Sequence, residues 1–278
     1  MGRWFTKYLH SRGHRLKLFD IDSAASKIVS KKIKESFVDE LEEAVCDADV
    51  TLVSVPIQTM PKVLKSVESY MKEGSTIIEI ASIKNESLNV LKTISRMGKV
   101  IPISIHPLFG PGATTIEGKM IALIPVNNSS IERRKIKNLF PDARITLVDG
   151  KEHDEAMAFI LSLTYFINTV FSTLMSKTDL AILKKLAGPT FTIQMTLAES
   201  ILKDEPNLIT SLQIDNQYAS GIIEEFMSQG RMIADFVKEK DRESIGRLIS
   251  KTCNILNKDH EFQKSDRKKY DIFEKLLG

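Results

Sequence analysis

One histidine stands where a folded chain would present it to a ligand. Val100 to Ile105 is an apolar run that reads as a buried strand. It ends in His106-Pro107, and Gly110-Pro111-Gly112 follows within a few residues. Proline cannot donate to a sheet ladder, and the residue before it is pushed away from helix. His106 is therefore predicted at the end of a core strand, where the chain leaves the sheet. In open α/β sheets ligands bind at that edge, and an imidazole there can accept a proton near neutral pH. Ser82 closes a second strand-like run, Ser75 to Ile80, within Ala81-Ser82-Ile83-Lys84. Serine at a strand-to-helix turn is commonly an N-cap, and Glu86 lies nearby.

The elements that must position these residues alternate. A helix over residues 1–12 has Trp4, Phe5, Tyr8 and Leu9 on one face and ends at Gly13. A short strand over 14–19 leads into Asp20. A basic helix over 23–35 and an acidic helix or turn over 37–48 follow. Strands are predicted at 50–55, 75–80, 100–105, 120–125 and 143–147, with helices at 60–72, 86–96 and 129–140 between them. Val50 to Val55 is almost continuously β-branched, as expected of a strand covered on both faces, and Pro56 stops it. Such alternation implies a mostly parallel sheet with helices on both sides, a doubly wound dinucleotide-binding domain over 1–149. Asp20 at the end of an early strand suits a ribose 2′-hydroxyl and would repel a 2′-phosphate, so NAD is favoured over NADP.

After Asp149-Gly150 the strand signals vanish, and residues 150–278 read as all-helical. Residues 152–176 form a long helix that is apolar nearly all round, which predicts burial. Helices are predicted at 178–186, 189–204, 206–212, 215–239 and 241–257, the last N-capped by Asp241. A buried helix with too little chain to cover it predicts an obligate homodimer formed through this domain.

Composition narrows the classes further. The 278 residues carry 39 basic and 36 acidic side chains, a net charge of +3, so nothing favours nucleic acid or an anionic membrane surface. Cys46 and Cys253 are far apart and in no metal-ligand spacing, and the expected location is a reducing cytoplasm. No uninterrupted apolar run approaches the ~20 residues that span a bilayer, and the N-terminus lacks the apolar core of a signal peptide.

Five motifs in order resemble the prephenate/arogenate dehydrogenase family of tyrosine biosynthesis, over essentially the whole chain. They are Met1-Gly2-Arg3-Trp4-Phe5, Ser54-Val55-Pro56, Ala81-Ser82-Ile83-Lys84, His106-Pro107-Leu108-Phe109-Gly110-Pro111 and His153-Asp154-Glu155-Ala156-Met157-Ala158. The resemblance implies NAD-dependent oxidative decarboxylation of prephenate or arogenate. It implies that His106 accepts the substrate hydroxyl proton, and that Ser82 hydrogen-bonds that hydroxyl, His106 or the nicotinamide end. Gly2 and Arg3 would belong to the glycine turn, Ser54, Val55 and Pro56 to the adenosine and pyrophosphate side, and Asp20 to the ribose. Gly2 fits the last glycine of the G-x-G-x-x-G turn; the first strand and two glycines would lie upstream of residue 1.

Where the family usually carries a histidine, twelve positions after His153, this chain has Tyr165. Where the family carries arginines that clamp substrate carboxylates, it has Thr192 and Ser200. Arginine suits such sites because its planar fork matches a carboxylate. Lys184, Lys185 or Arg231 are the substitutes within reach of the sequence. These departures leave a second reading open, a decayed or redirected member with a binding or regulatory role.

Overall fold

The computed structural model describes residues 1–24, 27–28, 31 and 36–277. The helix expected over 23–35 lies largely outside them. The chain divides into two compact units, Met1–Met157 and Ala158–Gly278, so the division falls within the long helix rather than at Asp149.

The first unit begins with α1 (Gly2–Ser11), β1 (Lys17–Leu18), β2 (Ser36–Phe37) and α2 (Leu41–Val45). Next come β3 (Val50–Val53), α3 (Met60–Tyr70), β4 (Thr76–Glu79) and α4 (Asn85–Met97). It closes with β5 (Ile101–Pro107), β6 (Met120–Ile124), α5 (Ser129–Leu139), β7 (Arg144–Leu147) and α6 (Gly150–Met157). Five strands form one sheet in the order β3-β4-β5-β6-β7, and β1 and β2 pair in parallel as a separate ribbon.

The pairings are parallel except β5 with β6, which is antiparallel. The cause is in the connection. Parallel neighbours need a crossover element, usually a helix, and the segment from Leu108 to Lys119 is loop without one. β1 is shorter than the expected strand over 14–19, and β2 is an unexpected strand two residues long.

The central strands β4, β5 and β6 are buried on both faces, as continuous apolar strands require. Side-chain alternation sends neighbouring residues to different cores. In β4, Ile77 joins Val53, Met60, Leu64, Leu91 and Val100. Its neighbour Ile78 joins Phe5, Ile103, Ile105, Ile121 and Phe140. The helix α1 is held by its aromatic face: Trp4 stacks on Tyr8 and meets Phe5 and Phe109 edge-on. The Trp4 indole N–H donates to the Ala113 carbonyl (2.6 Å), which ties the loop after His106 to this helix.

The second unit opens with a π-helical segment (Ala158–Leu163) and α7 (Thr164–Met175). It continues through α8 (Leu180–Lys185), α9 (Pro189–Ile201), α10 (Pro206–Ile214), α11 (Ala219–Glu239) and α12 (Arg242–Leu256). Two helices that the sequence pattern did not suggest follow, α13 (His260–Gln263) and α14 (Ser265–Leu277). Asp241 caps α12 as expected, its carboxylate accepting from the Ser244 N–H. Polar contacts register the bundle: Gln194 donates to Asn168 (2.9 Å) and Ser162 to the Leu212 carbonyl (2.5 Å).

The long apolar helix is not buried all round. Phe159, Ile160, Val170 and Leu174 are each at least half exposed in the single chain. The pattern therefore reported the apolar surface correctly, and part of that surface is left uncovered by this chain. By length and composition alone the helix Gly150–Met175 could cross a membrane, although no uninterrupted apolar run of that length exists, because Ser162, Thr164, Asn168, Ser172 and others break it.

Candidate active site

His106 is the penultimate residue of β5 and sits opposite Ala122 of β6. It is buried, with 6% of its surface exposed. Three other elements converge on it. Strand β4 brings Glu79, the turn after β4 brings Lys84, and α6 brings His153 and Asp154.

The contacts form one connected network. The His106 Nδ1 lies 2.9 Å from His153 Nε2, and His153 Nδ1 lies 2.8 Å from Asp154 Oδ1. The Asp154 carboxylate also accepts from the backbone N–H groups of Lys84 (3.0 Å) and Asn85 (2.9 Å). These are orphan donors at the start of α4, so α4 is capped by a residue about seventy positions away. The Lys84 ammonium donates to Glu79 Oε1 and to the Ile105 carbonyl, each at 2.7 Å. Glu79 further accepts from the Ala81 N–H (2.7 Å) and from the Ser104 hydroxyl.

Electrostatics follow from this packing. Burial pushes the His106 pKa well below the ordinary histidine value, and the Lys84 ammonium and His153 push it in the same direction. Burial also lowers Lys84, while the Glu79 carboxylate opposes that shift. At neutral pH His106 is therefore a neutral imidazole, the form that accepts a hydrogen bond. The Lys84 bond to the Ile105 carbonyl fixes the strand backbone immediately before it.

Other expected site residues are distributed as follows. Ser82 is half-buried in the turn between β4 and α4. It is not the N-cap of α4; Lys84 occupies that position and Asp154 supplies the cap. Gly2 opens α1, and a Cβ placed on it would lie 3.4 Å from Ser54 Oγ, so the helix start and the end of β3 adjoin. Val55 and Pro56 continue from Ser54, and Arg3 is exposed on the first turn of α1. Asp20 is exposed two residues beyond β1, its carboxylate accepting from the Asp22 N–H (2.9 Å). Glycine at a helix start beside the end of β3, with an exposed carboxylate just beyond β1, is a donor set that fits a dinucleotide.

In the second unit, the Tyr165 hydroxyl donates to Asp204 Oδ2 (2.6 Å), and burial together with that carboxylate raises its pKa. Thr192 and Ser200 lie on α9, and Ser200 lines a recess of about 590 Å³ with Thr196, Glu199, Leu202 and Lys203. Lys184 pairs with Glu199 (2.6 Å). Lys185 and Arg231 are exposed. Among the described residues no cluster of three His, Cys, Asp or Glu side chains could hold a metal ion.

Sequence reasoning singled out His106 but assigned no role to His153, Asp154, Lys84 or Glu79. The available signals were the His-Asp dipeptide at a helix start and the lysine of Ala-Ser-Ile-Lys. Neither reveals its partner without the fold.

A mostly parallel, helix-flanked sheet with a neutral histidine at a strand end, followed by a helical unit, defines a two-domain dehydrogenase architecture. A family model described as prephenate dehydrogenase, nucleotide-binding domain, matches residues 5–172. A second, prephenate dehydrogenase, dimerization domain, matches residues 149–251. The chain belongs to the prephenate dehydrogenase family.

It is 25% identical over 259 residues to a probable arogenate/prephenate dehydrogenase of Methanocaldococcus jannaschii, covering 91% of this chain and 58% of that protein. It is 22% identical over 238 residues to the T-protein of Enterobacter agglomerans, covering 84% and 59%. The chain thus spans about three fifths of the length of these curated relatives. Among solved structures, the prephenate dehydrogenase of Aquifex aeolicus superposes with a TM-score of 0.74 at 17% identity, covering 93% of this chain and 96% of that one. A Synechocystis arogenate dehydrogenase gives 0.66 at 16% identity, covering 92% and 95%. At these identities the structural likeness shows the shared fold.

Proposed function

We propose that this protein is an NAD-dependent dehydrogenase that oxidatively decarboxylates prephenate or arogenate, with His106 as the group that receives the substrate hydroxyl. The observation that carries this reading is the buried neutral imidazole at the end of β5. It is supported by the family membership and by an A. aeolicus prephenate dehydrogenase solved with hydroxyphenyl propionate and NAD+.

The reaction removes hydride from the ring carbon that bears the hydroxyl and releases the ring carboxylate as CO2. The electron pair of the broken carbon–carboxylate bond enters the ring, which becomes aromatic. Positive charge develops on the carbon–oxygen unit as hydride departs. A neutral imidazole that accepts the hydroxyl hydrogen bond stabilises that charge, taking the proton as hydride leaves and returning it to the oxygen once the ring is aromatic; an imidazolium would oppose it. Bound NAD supplies the hydride acceptor. On this chain Gly2, Arg3, Ser54, Val55, Pro56 and Asp20 would hold the dinucleotide, and Ser82 would orient the reacting hydroxyl or the nicotinamide end. Aromatisation supplies much of the driving force, so the protein mainly positions and polarises.

The protein works as a homodimer through its helical unit, a reading supported by the dimerization-domain match and by the exposed apolar positions of the long helix. The free thiols of Cys46 and Cys253 suit a reducing cytoplasm.

A redirected member with a different ligand is the second reading. It is favoured by specific contacts: the Tyr165 hydroxyl is engaged by Asp204, Thr192 and Ser200 bring no charge, and Lys184 is paired with Glu199. One assay separates the two. Purified protein is mixed with NAD and either prephenate or arogenate, and reduced nicotinamide is followed by absorbance. Turnover with one of them supports the dehydrogenase. NAD binding without reduction by either substrate removes it in favour of the second reading.

A further inference from the structure

The network around His106 fixes where its proton sits as well as its charge. A carboxylate can only accept hydrogen bonds. Asp154 Oδ1 is 2.8 Å from His153 Nδ1, so the His153 proton is on Nδ1. A His153 ring protonated on Nδ1 alone carries its lone pair on Nε2, which accepts. Its partner at 2.9 Å is His106 Nδ1, which must donate. That leaves the His106 lone pair on Nε2, the nitrogen outside the chain of hydrogen bonds. The chain is anchored at its far end. Asp154 is held by the Lys84 and Asn85 N–H groups at the start of α4, where helix dipole and orphan donors favour a carboxylate.

We propose that Asp154 and His153 are positioning residues for the reaction, imposing the Nδ1–H tautomer on His106 and so making its Nε2 the base. This rests on the reading of His106 as the acceptor of the substrate hydroxyl. The ionisable groups facing the imidazole come from three elements: His153 with Asp154 on α6, Lys84 in the turn before α4, and Glu79 on β4, which neutralises Lys84. As Nε2 takes up a proton, the new charge is repelled by the Lys84 ammonium. The Asp154 carboxylate, joined through His153, is the attractive charge.

The test begins with the wild-type protein, labelled with 15N-histidine and read by NMR at neutral pH. His106 is expected as a neutral ring protonated on Nδ1. A ring protonated on Nε2 overturns the proposal, whether or not the protein turns over prephenate. Failure of turnover alone overturns only the function on which it rests.

Two variants extend the test. In Asp154→Asn the amide N–H donates to His153 Nδ1, moving the His153 proton to Nε2 and forcing the other tautomer on His106. With the thermal midpoint checked for folding, kcat is expected to fall by about a hundredfold to ten-thousandfold, the range for losing a general base, while KM for NAD is unchanged. His153→Gln keeps an acceptor oxygen near the former Nε2 position, so it should retain the His106 tautomer and recover most of the wild-type kcat. A folded Asp154→Asn protein with unchanged tautomer and kcat sinks the proposal, as does a His153→Gln protein with no more activity than His153→Leu.

Discussion

Lys84 Nζ lies 2.7 Å from Glu79 Oε1, and neither side chain has any solvent exposure. A buried pair of this kind contributes little net stability over apolar packing, but removing one partner strands the other charge. Lys84→Met should therefore destabilise the protein by about 3–5 kcal/mol. Glu79→Gln combined with Lys84→Met should recover much of that loss, because the amide oxygen still accepts from the Ala81 N–H and the amide N–H can donate to the Ser104 hydroxyl oxygen. Urea unfolding of the three proteins checks this. Equal stability of Lys84→Met and wild type would contradict the ion pair.

His106→Asn removes the accepting Nε2 while leaving a polar group of smaller size at the strand end. Its kcat with prephenate or arogenate should fall by about a hundredfold to ten-thousandfold. Its affinity for NAD, measured by calorimetry, should be unchanged. A loss confined to KM would mean that His106 only holds substrate.

The lowered His106 pKa has a signed consequence for stability. The unfolded ring titrates near ~6.5, and the folded ring lower, because of burial and the Lys84 ammonium. Between these values the unfolded state binds more protons, so stability rises with pH there. Stability should be unaffected by this group above the unfolded value and fall progressively as pH drops below it. The activity profile should remain flat through the ordinary histidine range and decline only in more acid solution. His106→Asn should flatten the acid limb of a stability-against-pH curve; an unchanged limb assigns it to other groups.

How much of this was legible in the sequence depends on the range of the forces involved. Val100 to Ile105 declared a buried strand through apolar continuity, and Pro107 placed His106 at its end; both features are local. The pairing of His106 with His153 joins residues far apart in the chain, and only sheet and helix placement brings them together. A cap was one reading open to Ser82, because serine often is one, yet Lys84 holds the N-cap position and a distant carboxylate caps the helix. The two-residue strand β2 was invisible because period-two alternation needs at least four residues to register. Patterning along residues 152–176 reported the apolar surface and the need for a cover beyond this chain, but periodicity in one chain does not say which of its faces meets the second copy.

Glu132 illustrates how the sheet's far side is secured. Its buried carboxylate accepts from the N–H groups of Val126 (3.0 Å), Asn127 (2.8 Å) and Asn128 (2.9 Å), while Asn128 caps α5 through the Ile131 N–H. Glu132→Ala orphans several donors at once. The exposed Asn127 and Asn128 can turn to water, but the half-buried Val126 N–H loses its partner; a buried unsatisfied polar group costs about 1–3 kcal/mol, so the thermal midpoint should drop by a few degrees, and Glu132→Gln should recover part of it. Retention of the wild-type midpoint by Glu132→Ala would mean that water replaces the carboxylate without penalty.

The apolar face of the long helix makes the last prediction. Val170 and Leu174 are 50% and 59% exposed, one turn apart on α7. Obligate dimers bury surfaces that resemble a divided core, and a charge placed in one is left unpaired. Size-exclusion chromatography with light scattering should give twice the 31.3 kDa chain mass. Val170→Glu should shift the population toward a single chain with its helical content intact, as read by circular dichroism. A wild-type species of one chain mass would overturn the dimer. A Val170→Glu protein that stays dimeric would move the interface off this face of α7.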